Sequence, residues 1–320
     1  MSAPSPALVR PETPAPEGEL RVVPARHPWR LVAGAVVLVL LAQFTHGLLT
    51  NPAWEWDVFF AHLAADSVLR AVWVTVQLTV YGTVLGFALG LVIALMRLSR
   101  SPLLASVAWA YVWAFRSIPL IVQLLFWFNL AYLYEELGVG VPFGPVLWSF
   151  GTMDLVGAMS AAVIGLALHQ AAYAAEIVRG GFLSVDPGQL EAAAALGVPR
   201  WRQVRRIVLP QAMRSVLPNA ANEIVSLFKG TSIVSVMAIG ELFYQVQVIY
   251  GRNGRVVPLL MVATAWYVVL STLLSVAQFY VERHFARGAD RTPPPTPLQR
   301  ARSFLQNLEQ PFPYPLKEKR

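Results

Sequence analysis

The residues of this chain best placed to do chemistry are ionisable groups set in apolar sequence. Lys229 lies fifteen residues beyond Arg214, about 22 Å along a helix. A lysine that deep in an apolar run is costly unless it faces a polar cavity or an ionic partner. Asn222, Ser226, Lys229 and Ser232 recur at three- and four-residue spacing and so share one helix face. Thr231 lies beside them, and Gly230 can relax the helix there. Two readings stay open: an ammonium that accepts a ligand carboxylate, or a buried structural pair with Glu223 or Glu241. Glu176 stands three residues before Arg179, the spacing of a helical ion pair. Arg116, followed by Pro119 and Gln123, sits where the chain would enter an apolar layer, a place for a structural or gating cation.

Nothing in the sequence assembles a catalytic or metal site. The chain has no Cys, and His169 has no second His close by, so neither thiolate nor imidazole metal sites are expected. There is no Ser/His/Asp arrangement and no pair of carboxylates at acid–base spacing. No glycine-rich loop ending in Gly-Lys-Ser/Thr occurs either, so the chain is not expected to bind or hydrolyse ATP itself.

The elements that must position these groups follow from composition. Of the 320 residues, 56% are apolar and only 13% charged, against about 25% charged in soluble domains. A polytopic helical membrane protein is implied. Six spans are expected, at about 20 apolar residues each: 31–50, 67–97, one within 103–133, 156–178, one within 212–249 and one within 256–283. The third stretch is too long for one upright helix, so Pro119 should divide it into an interfacial piece (102–115) and a span (117–134). Residues 54–70 suit an amphipathic helix on the outer surface. The segment at 31–50 reads as an uncleaved span rather than a signal peptide. Residues 1–28 and 288–320 are rich in Pro and polar residues and are expected to form flexible tails.

Twenty of the 25 Lys and Arg residues fall in four segments: the N-terminal tail, Arg97 with Arg100, the 179–214 loop, and the tail from Arg283. The opposite loops carry Glu55, Asp57, Asp66, Glu135, Glu136 and Asp154. This bias places both termini and the 179–214 loop in the cytoplasm and explains the net charge of +7 without nucleic acid. Trp54, Trp56, Tyr132, Tyr134 and Trp148 cluster at the predicted outer ends as interfacial anchors.

The 179–214 loop contains a helix–turn–helix module. Asp186 is an N-cap, Pro187 suits the first helical position, and Gln189 sits where a capping box closes. The helix runs through Glu191, Ala192, Ala193, Ala194 and Ala195 to Gly197, a stop signal. Pro199 opens a second short helix carrying Arg200, Arg202, Arg205 and Arg206, which Leu209-Pro210 is expected to end. Alanines favour the helix while adding little bulk, so it could lie deep in a partner's groove, with Ala193 at the contact and charges at its rim. Lying on anionic lipid would suit the arginines equally, but would not require the Glu191–Gly197 spacing.

That spacing, Glu-Ala-Ala, three residues, Gly197, nine residues, then Ile207-Val208-Leu209-Pro210, resembles the coupling loop of ABC-importer permeases. Residues 67–285 resemble the polar-amino-acid branch of that family. The resemblance is carried by Thr75–Val80 with Gly82, Gly86 and Gly90, by Arg116-Ser117-Ile118-Pro119-Leu120 with Gln123, and by Tyr173–Gly181. Ser184-Val185, Gly188-Gln189, Leu209–Ala212, Pro218-Asn219 and Lys229-Gly230-Thr231-Ser232 complete it. It implies an all-α bundle with a five-span core, to which residues 29–66 add a span and an outer segment, and a coupling loop at 184–210. It also implies a bacterial inner-membrane importer of amino acids or similar zwitterions, working by alternating access. The implied partners are two ABC ATPase subunits that bind ATP and Mg, a second permease, identical or sister, and an external solute-binding protein. Gly230 stands where the family usually has an acidic residue, which argues against arginine, lysine or histidine as cargo. An ion-gradient-driven transporter, or a membrane scaffold that recruits a cytoplasmic protein, would explain the spans but not the module.

Overall fold

The computed structural model describes residues 28–141 and 144–285, together with Gln299, Arg302 and Ser303. Apart from Pro28 and those three positions, the expected tails lie outside the described residues. The chain divides at Trp54/Glu55 into two units. The described part of the first is α1 (Pro28–Thr50) and a 3-10 turn at Pro52–Trp54. α1 is apolar from Leu31 to Ala42, and Val36, Leu38, Leu40 and Phe44 are all more than half exposed.

The second unit begins with α2 (Trp56–Leu63), α3 (Asp66–Arg97), α4 (Pro102–Ser117), α5 (Leu120–Phe128) and a single turn, α6 (Leu130–Leu133). An antiparallel hairpin, β1 (Glu136–Gly140) with β2 (Val146–Gly151), leads to another turn, α7 (Thr152–Leu155). Then come α8 (Ala158–Leu183), α9 (Pro187–Ala195), α10 (Arg200–Gln203), α11 (Leu209–Gly230), α12 (Leu242–Asn253) and α13 (Val256–Phe285). Among the described residues four helices are long and apolar enough to cross a membrane. There are six spans if each of two bent pairs counts as one.

α8 is the axis of the core. Ala161, Ala162, Ala171, Ala172, Ala174 and Ala175 are wholly buried, and these small side chains let neighbouring backbones come close. α3 meets this face with Gly82, Gly86 and Gly90. A Cβ on Gly86 would lie 2.6 Å from the Gln170 Cβ, and one on Gly90 would lie 2.6 Å from the Ala174 Cβ. On other sides of α8, Gly165 faces Leu124 of α5 and Gly181 faces Val216 of α11.

The helical bundle agrees with the sequence, but three elements differ from it. The amphipathic helix expected over 54–70 ends at Leu63, and Asp66 already begins α3. Phe59 is buried with Val68, Leu242 and Val262, and the Trp266 indole donates to the Leu63 carbonyl at 2.8 Å. Phe59 of α2 therefore covers the core, while Phe60 beside it stays 64% exposed. The hairpin is an addition to an otherwise helical fold, formed where Val139, Val146, Trp148 and Phe150 alternate with small residues around a Pro/Gly turn.

The third stretch breaks at Pro119 as expected, but neither piece is long enough to span by itself. The longer piece is α4, with 16 residues, and α5 has nine and turns away by 103°. Nine residues span about 13 Å, too little to cross a bilayer. Pro119 cannot donate to the Phe115 carbonyl, and Gln123 replaces that lost bond. Its amide donates to Phe115 O at 2.8 Å and to Ile118 O at 2.7 Å, so the residue is a clasp at the bend. Gln123→Leu should lower the stability of the detergent-solubilised protein by about 1–3 kcal/mol, the loss of two hydrogen bonds worth about 0.5–1.5 kcal/mol each. A thermal or denaturant midpoint equal to that of the unaltered protein would refute the clasp.

Candidate functional site

The arginine-rich module is built by local signals. The Asp186 carboxylate accepts from Gly188 N at 2.8 Å and starts α9. At its far end Gly197 has φ +71°. Gly197 N donates to Ala194 O and Val198 N to Ala193 O, both at 3.0 Å. This doubly bonded left-handed stop is the Schellman arrangement. Gln189 does not close a capping box; its carbonyl accepts from the Gln211 amide at 2.7 Å, tying α9 to α11. Gln203 ties the turn to α10 by donating to Val198 O at 2.7 Å.

Pro210 does not end the second helix. A π turn over Val204–Val208, closed by Leu209 N to Val204 O, absorbs the proline's missing donor, and the helix continues as α11. One side of the module packs on the bundle through Val185, Val208 and Ala212 with Leu190 and Ile207. Ala193 belongs to this inner side, at 6% exposure, so the alanine expected at the contact with a partner faces its own chain. Glu191, Ala192, Gly197, Arg200, Arg205, Leu209 and Pro210 are exposed. Leu196 stands 82% exposed at the tip, with Trp201 under the Arg202 guanidinium at 5.3 Å.

Just above the module is an ionic cluster. The Glu176 carboxylate takes Arg179 at 2.7 Å, as its spacing predicted, and also Arg97 of α3 at 3.4 Å. The sequence offered no pairing for Arg97, because the contact is between helices. Arg116 lies 5.2 Å from the centre of the Tyr173 ring, within electrostatic reach of Glu176 and Glu223. Carboxylates of α8 and α11 thus face arginines of α3, α4 and α8 immediately before the chain enters α9.

The polar stripe of α11 is real and has a counterpart. Asn222, Ser226 and Lys229 are exposed on one face. Beside them, α13 carries Ser271, Ser275, Gln278 and Glu282 at four- and three-residue spacing, a stripe legible in the sequence but missed. The Gln278 amide donates to Asn222 at 2.9 Å and to Glu282 at 2.8 Å, so the two stripes form one seam. Lys229 opens into a cleft of about 380 Å³ on this seam.

The buried pairing with Glu241 does not occur. Glu241 is fully buried and caps α12, accepting from Phe243 N at 3.0 Å and Tyr244 N at 2.6 Å. Thr231 is buried and its hydroxyl donates to Phe228 O, while Ser232 donates to Lys229 O. These two hydroxyls secure the end of α11 and also reach the Tyr267 hydroxyl of α13, one turn beyond Ser271. Thr75, to which no role had been given, accepts from Leu242 N at 3.0 Å and joins α3 to α12.

Residues 86–287 match the family described as binding-protein-dependent transport system inner membrane components. The chain is 40% identical, over 84% of both chains, to the arginine transport system permease protein ArgU of Corynebacterium glutamicum. It is 36% identical to the nopaline transport system permease protein NocM of Agrobacterium fabrum, over 63% of this chain and 82% of that one. Among solved structures, one described as an amino acid ABC transporter with histidines superposes with a TM-score of 0.59 at 31% identity, over 68% of this chain and 94% of that one. With a family match over most of the bundle and a relative 40% identical across 84% of both chains, the chain belongs to the binding-protein-dependent transport system inner membrane components, as a multi-pass permease subunit of an ABC importer.

Proposed function

We propose that this chain forms half of an amino-acid pathway through a bacterial inner membrane and is driven by two separate ABC ATPase subunits. The observation that carries the reading is the module: a small, Gly197-terminated helix, fixed to the bundle on one side and offering Ala192, Leu196 and exposed arginines on the other. ATP and Mg are held by the ATPases, whose closure moves α9. The ionic cluster at Glu176 and the α8–α11 contact at Gly181 carry that movement into the core. An external solute-binding protein supplies cargo, and the module and both termini face the cytoplasm. The polar seam of α11 and α13 is too hydrophilic to face lipid and is covered by a second permease, identical or sister.

Amino-acid cargo is supported by the relatives. Their names include arginine, nopaline, octopine and glutamate/aspartate at 35–40% identity, so similarity of this order does not separate cationic from anionic solutes. The inference from Gly230 against basic amino acids loses its force beside ArgU, and arginine is the first cargo to test. Cells expressing the complete transporter should take up labelled L-arginine, L-glutamine or L-glutamate. Uptake should stop when ATP is depleted and persist when an ionophore collapses the ion gradients. The opposite pattern would indicate an ion-coupled carrier and sink the proposal.

A further inference from the structure

We propose that the Lys229 cleft is a carboxylate-binding site, in which the ammonium and the hydroxyls of Thr272 and Ser275 receive the carboxylate of a small solute. The inference rests on the transport reading and names the group of the cargo that the permease itself holds.

Depth is fixed by two independent measures. Lys229 is fifteen residues from Arg214 along α11, about 22 Å. Ser271 and Ser275 are the sixteenth and twentieth of the 30 residues of α13, at its middle. The register agrees: Gln278 bonds Asn222, and seven residues outward on each antiparallel helix, about 10 Å, come Ser271 and Lys229. The cleft therefore lies well inside the membrane-spanning parts of both helices.

The ammonium there is stabilised by a polar cavity or an anion, and the chain's own carboxylates are elsewhere. Glu241 is consumed in capping α12. Glu223, six residues earlier on α11, points about 120° away at 100° per residue, toward Arg116. Glu282 is eleven residues from Ser271 on α13, about 16 Å distant, and takes the Gln278 amide. Among the described residues no ion pair reaches Lys229.

The surroundings suit a small organic acid better than an inorganic anion. The hydroxyls of Thr272 and Ser275 line the cleft with the lysine, the Ser271 hydroxyl is held by Tyr267 O, and Val225, Val276 and Phe279 supply apolar wall. One cation and neutral hydroxyls match a single carboxylate, and the apolar wall can hold the carbon skeleton. A volume near 380 Å³ is at the small end of ligand pockets, as a free amino acid requires.

The test uses the purified permease–ATPase complex without its solute-binding protein, so that only the permease can discriminate. Binding of labelled L-arginine, L-glutamine and L-glutamate is measured by equilibrium dialysis, with each one's α-carboxamide as competitor. The wild-type complex should bind at least one acid about tenfold more tightly than its carboxamide, the discrimination expected for one charge-assisted contact. Lys229→Met should remove that preference, bringing acid and amide within about twofold, and Lys229→Arg should restore part of it. If Lys229→Met does not assemble, Ser275→Ala replaces it and should narrow the preference severalfold. An unchanged acid-to-amide ratio in the variants would overturn the site. So would a wild-type complex with no preference for the acid, even if ATP-driven uptake persisted, in which case the transport reading stands and the site alone falls.

Discussion

Gly197→Val is expected to uncouple the transporter, cutting ATP-driven uptake by at least about tenfold while leaving the membrane bundle assembled. Position 197 has φ +71°, where a branched side chain costs about 1–2 kcal/mol or more, and 1.4 kcal/mol is a factor of ten. To escape, the turn must abandon the two bonds from Gly197 N and Val198 N that close α9. The tip bearing Leu196 then loses the shape presented to a partner. No atom lies within 4 Å of a Cβ at 197, so the defect is conformational and not a clash. Asn tolerates left-handed backbone, and Gly197→Asn should keep most of the activity. The comparison needs uptake and ATPase assays on both variants, with assembly judged by size-exclusion chromatography. Normal uptake by the valine variant would remove the module's turn from the mechanism.

Gly90→Leu is expected to have the largest effect on the protein itself. A Cβ at 90 meets the Ala174 Cβ at 2.6 Å, Ala171 O at 3.0 Å and Ala175 N at 3.1 Å. Two of these three are backbone atoms of α8, which cannot swing aside as the end of a side chain can. Overpacking of this kind costs about 1–3 kcal/mol where neighbours relax, and more where two helices must separate. The variant should lose most of its detergent-extractable, monodisperse protein. Gly180→Ala is the control, because nothing lies within 4 Å of its Cβ, and it should behave as the unaltered chain does. Equal yield and stability for Gly90→Leu would mean that α3 and α8 are not packed as described.

Both glycines were readable as glycines, but for different reasons. Gly197 follows an alanine-rich helix opened by Asp186-Pro187, and such a stop is a local signal set by backbone conformation. Gly90 is one of three glycines four apart, which marks a close approach without naming the partner. Only the fold supplies α8. The same limit explains the errors. Pro210 looked like a terminator because proline breaks an α helix, and the π turn at Val204–Val208 that accommodates it depends on packing of Val208 and Ala212. Ala193 looked like contact surface because helix composition does not say which side faces the bundle.

The sequence by itself determined the class of molecule. Long apolar runs, one-sided arginines, caps and stops are properties of neighbouring residues and a bilayer, and each acts over a few turns of chain. The helical start and stop of the module, the break at Pro119 and the Glu176–Arg179 pair followed from them. The tertiary structure decided who meets whom: Glu176 with Arg97, Arg116 with Tyr173, Thr75 with α12, and Glu241 in a cap. Lys229 is the sharpest case. Its cost in the membrane was evident from sequence, but its two possible carboxylate partners could be set aside only when Glu241 was seen to cap α12 and Glu223 to turn toward Arg116. Contacts between helices are fixed by packing over distances that no local spacing encodes.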